Sequence, residues 1–494
     1  MMFDPAHPPK GSLRDWLDHR ATTDGIAAVF PEDGTTLHWA DLRDRAVDAA
    51  RTLTALGAQK GESIAILHPN GLDGLVTVYG VIYGGFRATM INLAAGRDAI
   101  NYALTHSRAR FAFVHPSCAD TYALAAPEGV QLVEGATDGY TPLHDIGPDD
   151  HALLMYTSGT TGKPKGVVHS HASLLAGGWT SAVAHDLTPA DRGMCVLPIY
   201  HINGLCVTVM GALVSGGSLS VVSKFSASRF WNQAASSQIT WFSVVPTIIS
   251  HLLHGKADPD TTLMARLRFG RSASSALAVE TQRAFEDRFG VPIIETMGLT
   301  ETAAQILSNP LPPGTRKIGS PGIAYGNEVQ ILGPDLMPSA QGEEGEIAVR
   351  GPNVMREYLD NPDATAATFA GDWLRTGDLG RMDADGYVFV TGRLKELIIK
   401  GGENIAPREI DEALYSHPDI VEAAAFARHC DKYGERVEAA VRISDGSKVN
   451  ADTLLAICHD RLGVFKSPDM IHFLPELPKG PSGKIQRLKL AESL

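Results

Sequence analysis

The chain is short of positive charge. Its 43 lysines and arginines face 56 aspartates and glutamates, giving a net charge of -13 at pH 7. That balance argues against nucleic acid as the main partner. Small anionic ligands stay open, because a local lysine cluster outweighs a distant acidic surface. Cysteine is scarce as well. The five present (Cys118, Cys195, Cys206, Cys430 and Cys458) are scattered, with no CxxC pair. This excludes a disulfide framework or a paired-cysteine zinc site and fits reduced thiols in a cytoplasmic protein. Long apolar runs are missing too. Leu205–Val214 is too short to span a bilayer, and Met1–Arg20 lacks the basic-then-apolar pattern of a secretory signal. There is neither an internal repeat nor a low-complexity run. The expectation is a cytosolic protein with no membrane partner.

What is present is length and motif. At 494 residues the chain exceeds one ordinary core, so two or more domains are expected, and 44% hydrophobic with 20% charged residues fits a soluble globular protein. Apolar spacing predicts helices over Asp41–Leu56, Asp73–Tyr83 and Ser173–Ala184. Strands are predicted over Ser63–Leu67, Arg110–Val114, Ser218–Val222 and Thr240–Val244, which together read as α/β. From about Asn327 short strands follow one another, at Glu328–Leu332, Gly345–Arg350 and Gly386–Thr391, as in a small β subdomain. A compact α+β tail then begins. It has helices over Pro407–Ser416 and Ala451–Leu462, strands over Val421–Arg428 and Val437–Ile443, and an exposed loop over Pro478–Lys484. The boundary is placed at Arg393–Lys395, giving domains 1–393 and 394–494.

Tyr156-Thr157-Ser158-Gly159-Thr160-Thr161-Gly162-Lys163-Pro164-Lys165-Gly166 gathers hydroxyls, glycines and two lysines in one turn. Glycines let backbone N–H groups approach phosphate oxygens, hydroxyls donate further hydrogen bonds, and ammonium groups offset the charge. It is not a Walker A loop, because only two residues separate Gly159 from Gly162. The apolar flanks Ala152–Tyr156 and Val167–His169 place it between two strands. Further segments matter in combination. Glu295-Thr296-Met297-Gly298-Leu299-Thr300-Glu301 sets a hydroxyl beside a carboxylate, suited to a phosphate oxygen and Mg²⁺, although a lone Thr-Glu reads as a helix cap. Thr376-Gly377-Asp378 sets an acid at a turn, suited to ribose hydroxyls, although a lone Gly-Asp reads as a turn. Gly392-Arg393-Leu394-Lys395, Lys400-Gly401-Gly402 and Lys479-Gly480-Pro481-Ser482-Gly483-Lys484 each set a cation beside a flexible backbone. Singly, each of these lysines reads as a solvated surface charge.

In this order the segments resemble the acyl-adenylate-forming superfamily, from about Leu37 to Arg487, and within it the small-acid CoA ligases of the oxalate and malonate type. Phe225-Ser226-Ala227, Trp241, Val245-Pro246-Thr247 and Ser308-Asn309-Pro310-Leu311-Pro312 carry that closer likeness. The resemblance implies a large N-terminal domain of mixed α/β subdomains plus a β subdomain, with a small mobile α+β C-terminal domain. It implies ATP, Mg²⁺ and coenzyme A as cofactors, and two half-reactions: attack of a carboxylate on the α-phosphate with loss of pyrophosphate, then displacement of AMP by a thiol.

By the same resemblance, Thr157, Ser158, Gly159, Thr160, Thr161, Gly162, Lys163 and Lys165 hold the β- and γ-phosphates. Thr300 and Glu301 attend the metal, Asp378 the ribose with Arg393 assisting, and Met297 stands where the family often has an adenine-stacking Tyr. Lys484 bridges carboxylate and α-phosphate, Lys395 is the hinge, and Lys400, Gly401 and Gly402 serve the thiol step.

His201, Ile202, Ser274, Ser275, Thr296 and Ala304 are expected to line the acyl pocket. Ile202 disfavours an amino acid. Thr296 and Ala304 stand where malonate- and oxalate-type relatives keep a cationic or imidazole side chain. The resulting expectation is a small, neutral or hydroxylated monocarboxylate, unless Arg271 or Arg316 reaches the pocket. His201 reads equally well as a packed pocket wall. Two alternatives stay open: an adenylation enzyme loading a carrier protein, and a non-catalytic nucleotide-binding protein on the same fold. The oligomeric state is open.

Overall fold

The computed structural model describes residues 3–135, 141–157, 164–480 and 485–494. Among them, two large sheets build the N-terminal part. One has seven strands, ordered Glu357–Tyr358, Lys165–Ser170, His151–Thr157, Arg87–Met90, Ser63–Leu67, Phe111–Val114 and Gln131–Leu132. The other has nine, with Arg192–Cys195, Trp241–Val244, Phe269–Ser272 and Ile293–Leu299 parallel at its centre. Such buried parallel strands need both faces covered. Helix His171–Ala184 supplies part of the cover: nearly every residue in it is buried, as expected of a helix packed on all sides. Ser170 caps it, its hydroxyl accepting from the Ser173 N–H while the Ser173 hydroxyl accepts from the Ser170 N–H.

The β subdomain begins where the short strands were expected. Glu328–Leu332, Gly345–Arg350 and Trp373–Met382 pair antiparallel in that order, and Val388–Arg393 joins the last of them. The predicted elements before it recur with shifts at their ends: helices Trp39–Ala55 and Leu72–Tyr83, strands Ser63–Leu67 and Phe111–Val114.

Beyond the turn at 394–396 lies the smaller C-terminal unit. Ile420–Cys430 and Gly434–Ile443 form its long hairpin, with Ile398–Lys400 and Met470–Phe473 on the far side, and helices Pro407–Tyr415 and Ala451–Lys466 pack against it. Its core is separate from those of the N-terminal part. Polar contacts join the two units. Arg408 donates to the carbonyls of Val390 (2.7 Å) and Gly319 (3.3 Å), the Val279 N–H donates to Glu412 (3.2 Å), and Ser250 donates to the Val421 carbonyl (2.7 Å). A joint made of polar contacts between two complete cores suits units that reorient. No helix among the described residues is long and apolar enough to cross a membrane.

Candidate active site

The hydroxyl-rich loop does connect two strands. His151–Thr157 and Lys165–Ser170 form an antiparallel pair that closes on Thr157 opposite Lys165. Ser158, Gly159, Thr160, Thr161, Gly162 and Lys163 lie outside the described residues, as does Lys484. The hairpin's base fixes where the loop emerges, and Lys165 stands at that mouth with its Nζ 4.4 Å above the Tyr358 ring.

Tyr358 ties this mouth to the Thr-Glu pair. Its hydroxyl donates to Glu301 Oε1 at 2.8 Å. Burial, and after it the Glu301 charge, push the Tyr358 hydroxyl well above the usual phenol range, so it remains a donor. Thr300 and Glu301 occupy a single tight turn, Thr300–Thr302, between strands Ile293–Leu299 and Ala304–Ser308. The turn is pinned from beneath by His169, whose Nε2 lies 2.7 Å from the Thr300 carbonyl and whose Nδ1 lies 3.0 Å from Ser173 Oγ. A carbonyl only accepts, so Nε2 carries the proton. Burial lowers the imidazole to about 4, so it is neutral and Nδ1 accepts. The Met355 N–H donates to the Glu301 carbonyl at 2.8 Å. The turn is close-packed: a Cβ at Gly298 would stand 1.7 Å from the Ala304 carbonyl oxygen. Met297, one residue earlier, is partly buried among Ile306, Leu307 and their neighbours.

Thr376-Gly377-Asp378 forms a second corner. Gly377 sits at φ +75°, a conformation glycine adopts readily. Glu346 accepts from the Gly377 N–H at 2.9 Å and from Arg375 Nε at 2.7 Å, while Thr376 donates to the Ile347 carbonyl at 2.7 Å. Asp378 is the ladder partner of Arg393, with Arg393 Nε 3.0 Å from its carboxylate. The next residues turn: the Leu394 N–H returns to the Gly377 carbonyl at 3.0 Å and the Glu396 N–H to the Arg393 carbonyl at 2.9 Å, leaving Lys395 exposed.

The expected acyl-pocket residues lie at one end of the nine-stranded sheet. His201 and Ile202 lead into a π-helical stretch, Asn203–Met210, a form that recurs at functional sites. Burial alone lowers His201 to about 4, and its Nε2 has no hydrogen-bond partner among the described residues. Ser274, at φ +73°, accepts from Asn203 Nδ2 at 3.3 Å, and Ser275 follows it, partly buried. Thr296 donates to the Ser272 carbonyl at 3.1 Å. Ala304 is buried.

Two lysines differ from their sequence reading as solvated charges. Lys400 is buried, 3.5 Å from Asp469 and over the Phe465 ring, while Gly401 and Gly402 beside it are exposed at positive φ. Lys479 pairs at 2.7 Å with the fully buried Glu422. The sequence gives no functional reading of His169, Tyr358 or Glu346. Their only signal there is a histidine inside an apolar strand, and isolated aromatic or acidic residues far from any motif.

No three His, Cys, Asp or Glu side chains converge among the described residues to cage a metal. One carboxylate, Glu301, beside a hydroxyl suits a magnesium ion that takes its other ligands from phosphate oxygens and water.

Residues 15–359 match the AMP-binding enzyme family and residues 409–484 its C-terminal domain. A sulfoacetate–CoA ligase of Cupriavidus necator is 45% identical, over 94% of this chain and 93% of its own. An oxalate–CoA ligase of Arabidopsis thaliana is 34% identical, over 96% and 95%. The structure of ATP-bound MatB from Rhodopseudomonas palustris superposes with a TM-score of 0.89 at 29% identity, over 97% of this chain and 98% of that one. The chain therefore belongs to the AMP-binding enzyme family and is an AMP-forming acid–CoA ligase.

Proposed function

We propose that this ligase activates a small carboxylic acid, and that its two half-reactions are served in turn by a C-terminal unit, residues 394–494, swinging about Lys395. The observation that carries the reading is the convergence of Lys165, Tyr358 and Glu301 at the mouth of the hydroxyl-rich loop. In the first step a carboxylate oxygen attacks the α-phosphorus, the bond to the bridging oxygen breaks, and pyrophosphate leaves. A carboxylate is already ionised at pH 7, so no general base is required. The barrier is lowered by placing positive charge where negative charge gathers. Thr157–Lys165 would hold the β- and γ-phosphates. Glu301 would hold Mg²⁺ beside Thr300, with Tyr358 fixing one of its carboxylate oxygens. When bound, that ion supplies charge neutralisation on the phosphate oxygens. Asp378 would accept from ribose hydroxyls, held in place by Arg393. Lys484 would join carboxylate to α-phosphate.

In the second step the exposed turn at Gly401-Gly402 would replace Lys484, giving the thiol of coenzyme A a path along bare backbone. The separate cores and the polar joint between them support such a switch. Relatives whose names specify sulfoacetate and oxalate favour a small acid and a CoA acceptor over a carrier protein. Scattered, unpaired cysteines favour the cytoplasm. The test is AMP and thioester formation from ATP, Mg²⁺ and CoA across a panel of small acids, with and without CoA. AMP formation from none of them would overturn the reading. Transfer to a carrier protein but not to CoA would transfer it to the alternative acceptor.

A further inference from the structure

Arg271 lies within the buried strand Phe269–Ser272 and is 1% exposed. A charge buried this deeply is normally paired with an acid. Here no carboxylate lies within ion-pair distance among the described residues. Its neighbours are neutral. Nη1 donates to Asn203 Oδ1 at 3.0 Å and to Ser243 Oγ at 3.1 Å, and Nε donates to Gln305 Oε1 at 3.2 Å. Nη2 makes no hydrogen bond among the described residues. His185, fully buried on the same side, also has both ring nitrogens without partners there. The nearest acid in the ladder, Glu295, is opposite Ser272, so its side chain leaves the sheet on the other face and accepts from the Leu277 N–H. Burial lowers the guanidinium to about 9, still above neutrality, so the group is charged at pH 7.

The residues around this cation are linked to those of the expected acyl pocket, by adjacency in the chain or by hydrogen bonds. Asn203 directly follows Ile202 and donates to Ser274. Gln305 directly follows Ala304. The carbonyl of Ser272, next to Arg271, accepts from Thr296. Arg316, the other candidate cation, is spent on Glu286 at 2.6 Å. Beside the expected pocket residues, Arg271 is therefore a buried cation with only neutral partners among the described residues, and its guanidinium edge is suited to an oxyanion.

We propose that Arg271 receives the second, anionic head of a doubly charged small acid, a sulfonate or a carboxylate, and thereby sets the enzyme's preference for such acids. The inference rests on the acid–CoA ligase reading above. It reverses the monocarboxylate preference that Thr296 and Ala304 suggest. The cation comes from the neighbouring strand, where only folding brings it to the pocket. One head remains free to attack the α-phosphorus, while the other neutralises a charge that has no acidic partner among the described residues.

The test measures kcat/KM for pyrophosphate release with sulfoacetate, malonate, and two analogues lacking the second charge, methylsulfonylacetate and propionate. The wild type should favour each dianion over its neutral counterpart by about 100-fold or more. A lead for sulfoacetate over malonate identifies the second head as a sulfonate, and the reverse identifies a carboxylate. Arg271→Met should abolish the preference while holding the neutral acids within about tenfold and leaving KM for ATP unchanged. Arg271→Lys should restore part of it. A wild type that favours the neutral analogues overturns the inference even where no Arg271 variant folds. A parallel loss on all four acids in a folded Arg271→Met overturns it too, by making the residue structural. Absence of AMP formation with any acid in a broad panel removes the ligase reading itself, and this inference with it.

Discussion

Asp378 and Arg393, fifteen positions apart in sequence, are partners across an antiparallel ladder, with Arg393 Nε 3.0 Å from the Asp378 carboxylate. Both side chains are partly exposed, so the pair itself adds little stability, on the order of 0–1 kcal/mol. Its value is positional: the arginine holds the acid at the corner set by Gly377. Asp378→Ala should therefore raise KM for ATP by about tenfold or more with a small change in Tm, and Arg393→Ala should do so less. A large fall in Tm with ATP affinity intact would make the pair structural.

Tyr358→Phe removes the hydrogen bond to Glu301 but keeps the ring under Lys165. Hydrogen bonds to charged groups contribute about 1.5–3 kcal/mol. We expect pyrophosphate exchange to slow roughly tenfold and to require more Mg²⁺, whereas Tyr358→Leu, which also removes the ring, should lose more. Mg²⁺ titrations of the exchange rate compare the two. An unchanged Mg²⁺ requirement in Tyr358→Phe would show that Glu301 is oriented without it.

These two cases show what the sequence carries and what it does not. Asp378 and Arg393 were legible because each sits in a short local motif, the first at the turn set by Gly377 and the second just before the turn at 394–396. The hairpin that presents the hydroxyl-rich loop was legible from its apolar flanks, and the β subdomain from its period-two strands. Tyr358 and His169 were not, since each acts on the Thr300-Glu301 turn across a long stretch of chain and no local pattern announces such a contact. In the sequence Arg271 is, with Arg316, only one of two cations that could reach the pocket. Its burial, its neutral neighbours and its closeness to Ser274 through Asn203 exist only once three strands and a π-helical stretch are assembled.

Lys484→Ala and Gly402→Leu should fail in opposite half-reactions. The first should abolish pyrophosphate exchange and largely spare thioester formation from preformed acyl-adenylate. In the second, a side chain at φ +88° is strained and would fill the proposed thiol path, although nothing lies within 4 Å of its Cβ in this arrangement. Exchange should survive and CoA transfer should fail. Equal loss of both steps in either variant contradicts the assignment.

Lys395→Pro tests the switch itself. Proline fixes φ at its own position and restricts the residue before it, here Leu394, whose N–H is bonded to the Gly377 carbonyl. With the polar joint to Val390, Gly319 and Val279 left intact, the C-terminal unit should stay as the structure has it. Adenylation should persist and turnover to the thioester should fall by about 100-fold or more. Unchanged turnover places the hinge elsewhere.

Glu295 gives the pH dependence. It is 2% exposed, its Oε2 has no hydrogen-bond partner among the described residues, and burial raises its carboxyl to about 7, against a smaller opposing effect of Arg408. Below about pH 4.5 the group is protonated whether the chain is folded or not. As pH rises from there to about 7, the unfolded chain gives up this proton while the folded chain keeps it, so the fold loses stability throughout that window. Above about 7 the loss is complete, on the order of 3 kcal/mol for a shift of this size. Glu295→Gln retains an acceptor for the Leu277 N–H and has no proton to lose. The difference in Tm between variant and wild type should therefore grow in the variant's favour from pH 5 to pH 7 and level off above it. A difference that stays flat across this range would mean that the carboxyl is ionised in the folded protein well below pH 7, stabilised by Arg408 from the C-terminal unit.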